Sequence, residues 1–186
     1  FFVLGYIAER APDLIKEIKI AGHEIASHGF AHHKITAQTK DEFDADLKKS
    51  IKAIEGACGM RPIGYRAPSF SITDKTRWAL KILVKNGFKY DSSMYPTIYH
   101  PSYGAKLDSL SISKINGILE IPLSVVEFLG LKIPCSGGAY FRILPYWLTK
   151  FFVKKINKSG RPFIFYIHPW EIDRGQPRLK LSFFKK

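Results

Sequence analysis

The sequence predicts an α/β domain built on mainly parallel strands, arranged as a barrel or a doubly wound sheet. Three observations carry this. Short apolar runs alternate with amphipathic helical stretches along most of the chain. The run Phe163 to Ile167 is apolar throughout, as in a parallel strand covered on both faces. Polar residues capable of chemistry follow one apolar run after another, which is where parallel folds keep their sites.

Phe1 to Tyr6 reads as a buried strand. Pro12 to Ile20 carries Leu14, Ile15, Ile18 and Ile20 and reads as a helix closed by Ala21-Gly22. His23 to Ser27 is a short strand leading into a histidine-rich turn. Thr39 to Ala57 is the clearest helix: Thr39 and Glu42 form a capping box, and Phe43, Leu47, Ile51 and Ile54 make one apolar stripe that Gly59 ends. Pro62 to Tyr65 is a strand. Asp74 to Lys85 is a helix capped by Thr73, with Trp78, Ile82 and Leu83 inward, and Asn86-Gly87 stops it. Phe88 to Tyr90 is a strand. The stretch 91–117 has little periodicity and reads as a long functional loop with a small hairpin. Leu119 to Ser124 is a strand, Ser136-Gly137-Gly138 a turn, and Pro145 starts a helix that ends at Ser159-Gly160. After Trp170 the chain turns polar and basic.

The 186 residues suit one domain with no linker, and 46% hydrophobic content excludes disorder. No apolar run approaches the ~20 residues that span a bilayer. Lys plus Arg number 29 against 16 Asp plus Glu, a net charge of +13. The lysines are scattered along helices, as on a solvated face, and no nucleic-acid motif accompanies them, so nucleic acid is not expected as a partner. Cys58 and Cys135 fit no metal or redox spacing and are expected as free thiols.

Four of the six histidines lie between positions 23 and 33. His28 and His32 are spaced i, i+4, which puts both imidazoles on one side of a helix or a strand and makes half a site for a divalent ion such as Zn²⁺. His23-Glu24 to His28 has one residue too many for the zinc-protease helix motif. His168 closes the last apolar run and is a candidate general acid; a core histidine with a backbone partner reads equally well. Arg66 is placed to orient a carboxylate, and Asp91 to hold an imidazole in one tautomer; an ordinary ion pair and a turn-forming aspartate are the plainer alternatives. Phe70, Tyr95, Tyr140 and Trp170 are candidates for a wall against sugar rings, although most aromatics in a chain this rich in them pack in the core.

Gly22-His23-Glu24-Ile25-Ala26-Ser27-His28-Gly29-Phe30-Ala31-His32 resembles the second motif of the polysaccharide deacetylases, the NodB-homology or carbohydrate esterase 4 group. Tyr65-Arg66-Ala67-Pro68 is similar to the third motif, Tyr166-Ile167-His168 to the last, and Phe1 to Gly5 to the strand after the first. Tyr90-Asp91-Ser92-Ser93, Ser136 to Arg142 and His168-Pro169-Trp170-Glu171 resemble a bacterial branch associated with exopolysaccharide loci. The resemblance implies one deformed (β/α) barrel domain over residues 1–186, incomplete at both ends, with a divalent metal, usually zinc. It implies removal of N-acetyl groups from an amino-sugar polysaccharide. His28 and His32 would be metal ligands, Arg66 would orient the catalytic base, Asp91 would tune His168, and His168 would protonate the leaving amine. Tyr95, Tyr140 and Trp170 would contact substrate. The family's first motif supplies the base and a third, acidic ligand; it would precede Phe1 and is absent. The 186 residues are therefore expected to begin inside a longer protein, bind metal weakly and turn over no substrate. The alternatives are an amidohydrolase of the same fold acting on a small amide, and a glycan-binding module that lost the chemistry.

Overall fold

The computed structural model describes residues 1–97 and 103–175; residues 98–102 of the 91–117 loop and the basic stretch from 176 to 186 lie outside the described residues. The helices form where capping and periodicity agree. After strand β1 (Phe2–Val3), helix α1 (Gly5–Arg10) runs straight into α2 (Pro12–Ile20), with Pro12 at its first position, where a missing N–H costs nothing. Strand β2 (Ala26–Ser27) precedes α3 (Lys40–Cys58). Thr39 and Glu42 form the expected reciprocal cap on α3, and Gly59 closes it at φ 69°. Strand β3 (Gly64–Tyr65) leads through a 3₁₀ turn at Asp74–Thr76 into α4 (Trp78–Lys85) and then β4 (Tyr90–Asp91).

The hairpin β5 (Ser113–Ile115) and β6 (Ile118–Glu120) turns on Asn116-Gly117, both at positive φ, as a two-residue hairpin turn demands. A separate antiparallel pair, β7 (Val125–Phe128) and β8 (Leu131–Pro134), turns on Leu129-Gly130. Helices α5 (Gly138–Ile143) and α6 (Tyr146–Lys158) follow.

The main sheet has the order β1-β2-β3-β4-β6-β5, parallel except for the β5–β6 pair. Its register puts Val3, Ser27, Tyr65, Asp91 and Glu120 in one row across five strands. Because these strands are parallel, all five residues stand at the same C-terminal edge. Helix α3 supplies two cores. Phe43, Leu47 and Ile51 pack with Tyr65, Leu80, Leu83 and Met94, while Ala53, Ile54 and Ala57 pack with Val3, Ala8 and Ile15.

The fold is the expected α/β one with a sheet that is not closed, and several boundaries move. The strands are two to four residues long, far shorter than the apolar runs that announce them. Phe1 to Tyr6 divides into a two-residue strand and the start of α1. Phe163 to Ile167 joins no sheet among the described residues; Phe165 and Ile167 are exposed on one side, so the segment is not covered on both faces. It is tied down by single bonds, Ile164 N–H to Ser124 Oγ at 2.8 Å and Gly138 N–H to Tyr166 O at 3.0 Å. The β7–β8 hairpin was not anticipated. Cys58 and Cys135 are free and buried, as expected.

Candidate active site

Ladder bonds aim the first groups. His28 N–H donates to Val3 O and Arg66 N–H to Ser27 O, at 2.8 and 3.0 Å, so each residue leaves its strand directly into the common edge. The His28 Nδ1 lies 2.6 Å from the Arg66 carbonyl. An N–H there fixes the tautomer and leaves Nε2 with a lone pair, the arrangement a metal-binding histidine needs. His32 reaches the same place because the chain turns back at Gly29 and His32 itself adopts φ 59°. The two rings sit edge to face with centroids 5.2 Å apart. Burial, then the charges of His32, Arg66 and His168, holds His28 down to about 4. Burial and His168 also lower His32. Both imidazoles are therefore neutral at pH 7, the state in which they ligate.

This pair fits a divalent ion as a half-site. Among the described residues no third His, Cys, Asp or Glu joins it.

His168 is linked to the same edge through Tyr166, whose ring meets the His168 ring edge-on at 6.0 Å and lies 6.0 Å from the Arg66 guanidinium. It follows the Tyr166 segment and opens a 3₁₀ turn at Pro169–Glu171. Trp170 stacks on its ring at 4.2 Å and 14°, and the Tyr166 ring meets it edge-on at 6.0 Å. Glu171 returns its carboxylate to His168, taking the backbone N–H at 2.8 Å and lying 3.2 Å from Nδ1. The other Glu171 oxygen pairs with Arg142 Nη1 at 2.8 Å.

Arg66 holds its guanidinium over the Phe2 ring at 4.2 Å. Its Nε donates to Ser92 O and its Nη2 to Ser92 Oγ, at 2.8 and 2.6 Å; Nη1 makes no hydrogen bond among the described residues. Burial lowers Arg66 to about 10, which leaves it cationic.

Asp91 differs from expectation. It is fully buried, and its carboxylate accepts from the Ser93 hydroxyl at 2.5 Å and the Ser93 N–H at 3.2 Å, not from His168. Its strand neighbour is Glu120, also fully buried. Glu120 Oε1 takes the Met94 N–H at 3.0 Å, but among the described residues no donor reaches Oε2. Burial raises both carboxyls, Glu120 well above the usual range, with Asp91 adding to it. A proton held by Glu120 and directed at Asp91 satisfies the orphan oxygen and removes one of two adjacent buried charges.

Among the aromatics, Tyr95 is a correction. It has no exposed surface; its hydroxyl lies 3.1 Å from Ser136 Oγ and its ring packs with Leu123 and Val125. A residue so enclosed is core and meets no sugar. Tyr140 is half-buried, its hydroxyl 3.2 Å from that of Tyr103. Trp170 remains exposed beside His168. Sequence reasoning missed Glu171, Arg142 and Glu120. The His168-x-x-Glu171 spacing is that of a capping box and was the available signal for the first. A groove of about 500 Å³ lies elsewhere, against α6, lined by Phe141, Tyr146, Phe163 and Phe165 with Lys150 and Lys154, and none of the three imidazoles lines it.

Fold and site together define an α/β chain with three imidazoles and a guanidinium gathered at the C-terminal edge of a parallel sheet. Residues 1–90 match the family described as polysaccharide deacetylase, and residues 92–186 the one described as a domain of unknown function, DUF3473. A peptidoglycan deacetylase of Helicobacter pylori is 35% identical over 120 residues, 64% of this chain and 39% of that protein. The peptidoglycan deacetylase-like protein FGM2 of Gibberella zeae is 33% identical over 61% of this chain and 34% of its own. A putative polysaccharide deacetylase from Mycobacterium smegmatis, solved as a crystal structure, superposes with TM-score 0.67 at 28% identity, covering 91% of this chain and 58% of that one. Over residues 1–90 the chain belongs to the polysaccharide deacetylase family, and the likeness to the Mycobacterium protein runs on through the second half. Its matches to the Helicobacter and Gibberella proteins span well under half the length of either.

Proposed function

We propose that the protein is a metal-assisted hydrolase that removes N-acetyl groups from an amino-sugar polymer, acting as one domain across residues 1–186. The observation that carries the reading is the pair of neutral imidazoles, His28 and His32, next to His168 and Arg66 at one edge of the sheet. The names of the relatives, peptidoglycan deacetylases among them, support the substrate class.

His28 and His32 would hold a divalent ion, Zn²⁺ being the one that suits two imidazoles. Such an ion, when bound, polarises the acetamide carbonyl and lowers the pKa of its water. The reading leaves the third ligand and the base carboxylate to the family's first motif, which the 186 residues do not carry. Arg66 is placed to fix that anionic base through Nη1, because Ser92 already restrains the rest of its guanidinium. As water adds to the carbonyl carbon and the C–N bond breaks, His168 gives its proton to the departing nitrogen and acetate leaves. Trp170 presents an apolar face beside that nitrogen, where a sugar ring would lie.

The test uses the full-length gene product, loaded with zinc, and measures acetate release from N-acetylglucosamine oligomers. Release is expected; a folded, metal-loaded protein that frees no acetate overturns the reading. His28→Ala is expected to abolish zinc binding at this site, and unchanged zinc stoichiometry in that variant removes His28 from the ligand set.

A further inference from the structure

We propose that Glu171, braced by Arg142, is the positioning residue for His168, holding Nδ1 so that Nε2 faces the leaving nitrogen. The inference rests on the hydrolase reading above and adds a role for two residues which that reading leaves unused, Arg142 and Glu171.

The geometry is that of a built clamp. One Glu171 oxygen reaches both the backbone N–H and the ring Nδ1 of His168, at 2.8 and 3.2 Å. The other oxygen meets Arg142 Nη1 at 2.8 Å. The Glu171 side chain is only 6% exposed, although the histidine it serves is 45% exposed. Gly138 makes the room: a Cβ there would sit 2.3 Å from the carboxylate, so any side chain at that position expels it. Trp170 covers one face of the imidazole and Tyr166 meets it edge-on. With Nδ1 engaged and the faces restrained, Nε2 is the nitrogen left to act. Asp91, the other acidic candidate, is fully buried and engaged with Ser93.

The chemistry follows from the charge. A carboxylate on Nδ1 stabilises the imidazolium that must exist before protonation of the amine and fixes the tautomer after it. The titratable and charged groups around His168 are Glu171 and Arg142 on one side and the neutral His28 and His32 on the other. Burial pushes Glu171 up, but the amide and ring of His168 and the Arg142 guanidinium outweigh it, so Glu171 is anionic.

A plain turn cap would show the same backbone contact, so the test separates charge from capping. Glu171→Gln keeps an acceptor for the His168 N–H and removes the charge. In the zinc-loaded full-length protein this variant is expected to lose about 10- to 100-fold in kcat with KM and zinc content unchanged. The alkaline limb of the kcat/KM profile is expected to move to lower pH by about one unit. Arg142→Gln is expected to move that limb the opposite way, since the carboxylate then acts undiluted on the ring. In parallel, the His168 ring is titrated by NMR in wild type and both variants, a readout that needs no activity. Unchanged His168 titration and kcat in Glu171→Gln overturn the proposal and reduce Glu171 to a cap. If Glu171→Gln does not fold, the sign of the Arg142→Gln shift decides instead; no shift, or a shift to lower pH, overturns the proposal. If the wild type frees no acetate while Glu171 still governs His168 titration, the hydrolase reading falls, and the catalytic role with it, but the clamp stands.

Discussion

His28 and Arg66 are positioned by backbone, whereas His168 is positioned by side chains. The first two leave adjacent parallel strands and are fixed by inter-strand bonds from their own N–H groups. His168 leaves a segment with no strand partner among the described residues and is gripped by Glu171, Trp170 and Tyr166. Backbone placement ties geometry to the stability of the whole sheet. Side-chain placement lets geometry change while the fold stays put.

The comparison is broken most severely by overpacking beneath the sheet. Gly5 opens α1 against α3, and a Cβ there would lie 2.6 Å from the Phe30 ring and 2.8 Å from the Ser50 Cα. Backbone cannot step aside, so Gly5→Ala is expected to cost about 1–3 kcal/mol in urea unfolding. Loss of zinc affinity is expected to accompany it, because the His28 turn bonds to the start of α1 through Gly5 N–H to Gly29 O at 2.9 Å. An unchanged midpoint would mean the two helices separate freely.

A smaller effect is expected at the carboxyl pair. Asp91 and Glu120 have raised values in the folded state, so native protein binds more protons than unfolded chain above the ordinary carboxylate range. Their contribution is fully present below the unfolded values and is lost as pH rises through the folded ones. Glu120→Gln keeps a donor for Asp91 and needs no proton. It is expected to remove a slope of up to about 1.4 kcal/mol per pH unit from the wild-type stability curve. Parallel curves for the two proteins would show that no proton is held there.

Least is expected for stability at the exposed end. Trp170→Ala should change unfolding free energy by less than about 0.5 kcal/mol, as for surface positions generally. It should lower kcat/KM for oligomers by about tenfold, or ~1.4 kcal/mol. A large loss of stability there would erase the contrast between the two modes of placement.

The helices were legible because capping and periodicity are local. Thr39, Glu42 and Gly59 bracket α3 in the structure as they do in the sequence. Two-residue strands such as Ala26–Ser27 and Gly64–Tyr65 offer no period to read, and their limits come from register with neighbours far along the chain. The β7–β8 turn escaped because Leu129, at φ 48°, is not a residue that announces a tight turn. Spacing alone singled out His28 and His32, and the rings do meet. Glu120 was invisible, since only its pairing with Asp91 across β4 and β6 brings it to the edge. Tyr95 looked like a sugar platform because it lies near the candidate site residues in sequence, yet its ring is buried and its hydroxyl meets Ser136.

The row from Val3 to Glu120 crosses position 91, where the two family matches meet. Whatever the ancestry of the two halves, they share one hydrogen-bonded ladder, and the buried acidic couple joins Asp91 at the junction to Glu120 in the second half. Grafting the latter half of a cousin onto this first half would therefore bring in an unfamiliar mate for Asp91. Hybrids spliced there should survive when that mate arrives as Glu or Gln and fail when it arrives as a bulky apolar residue.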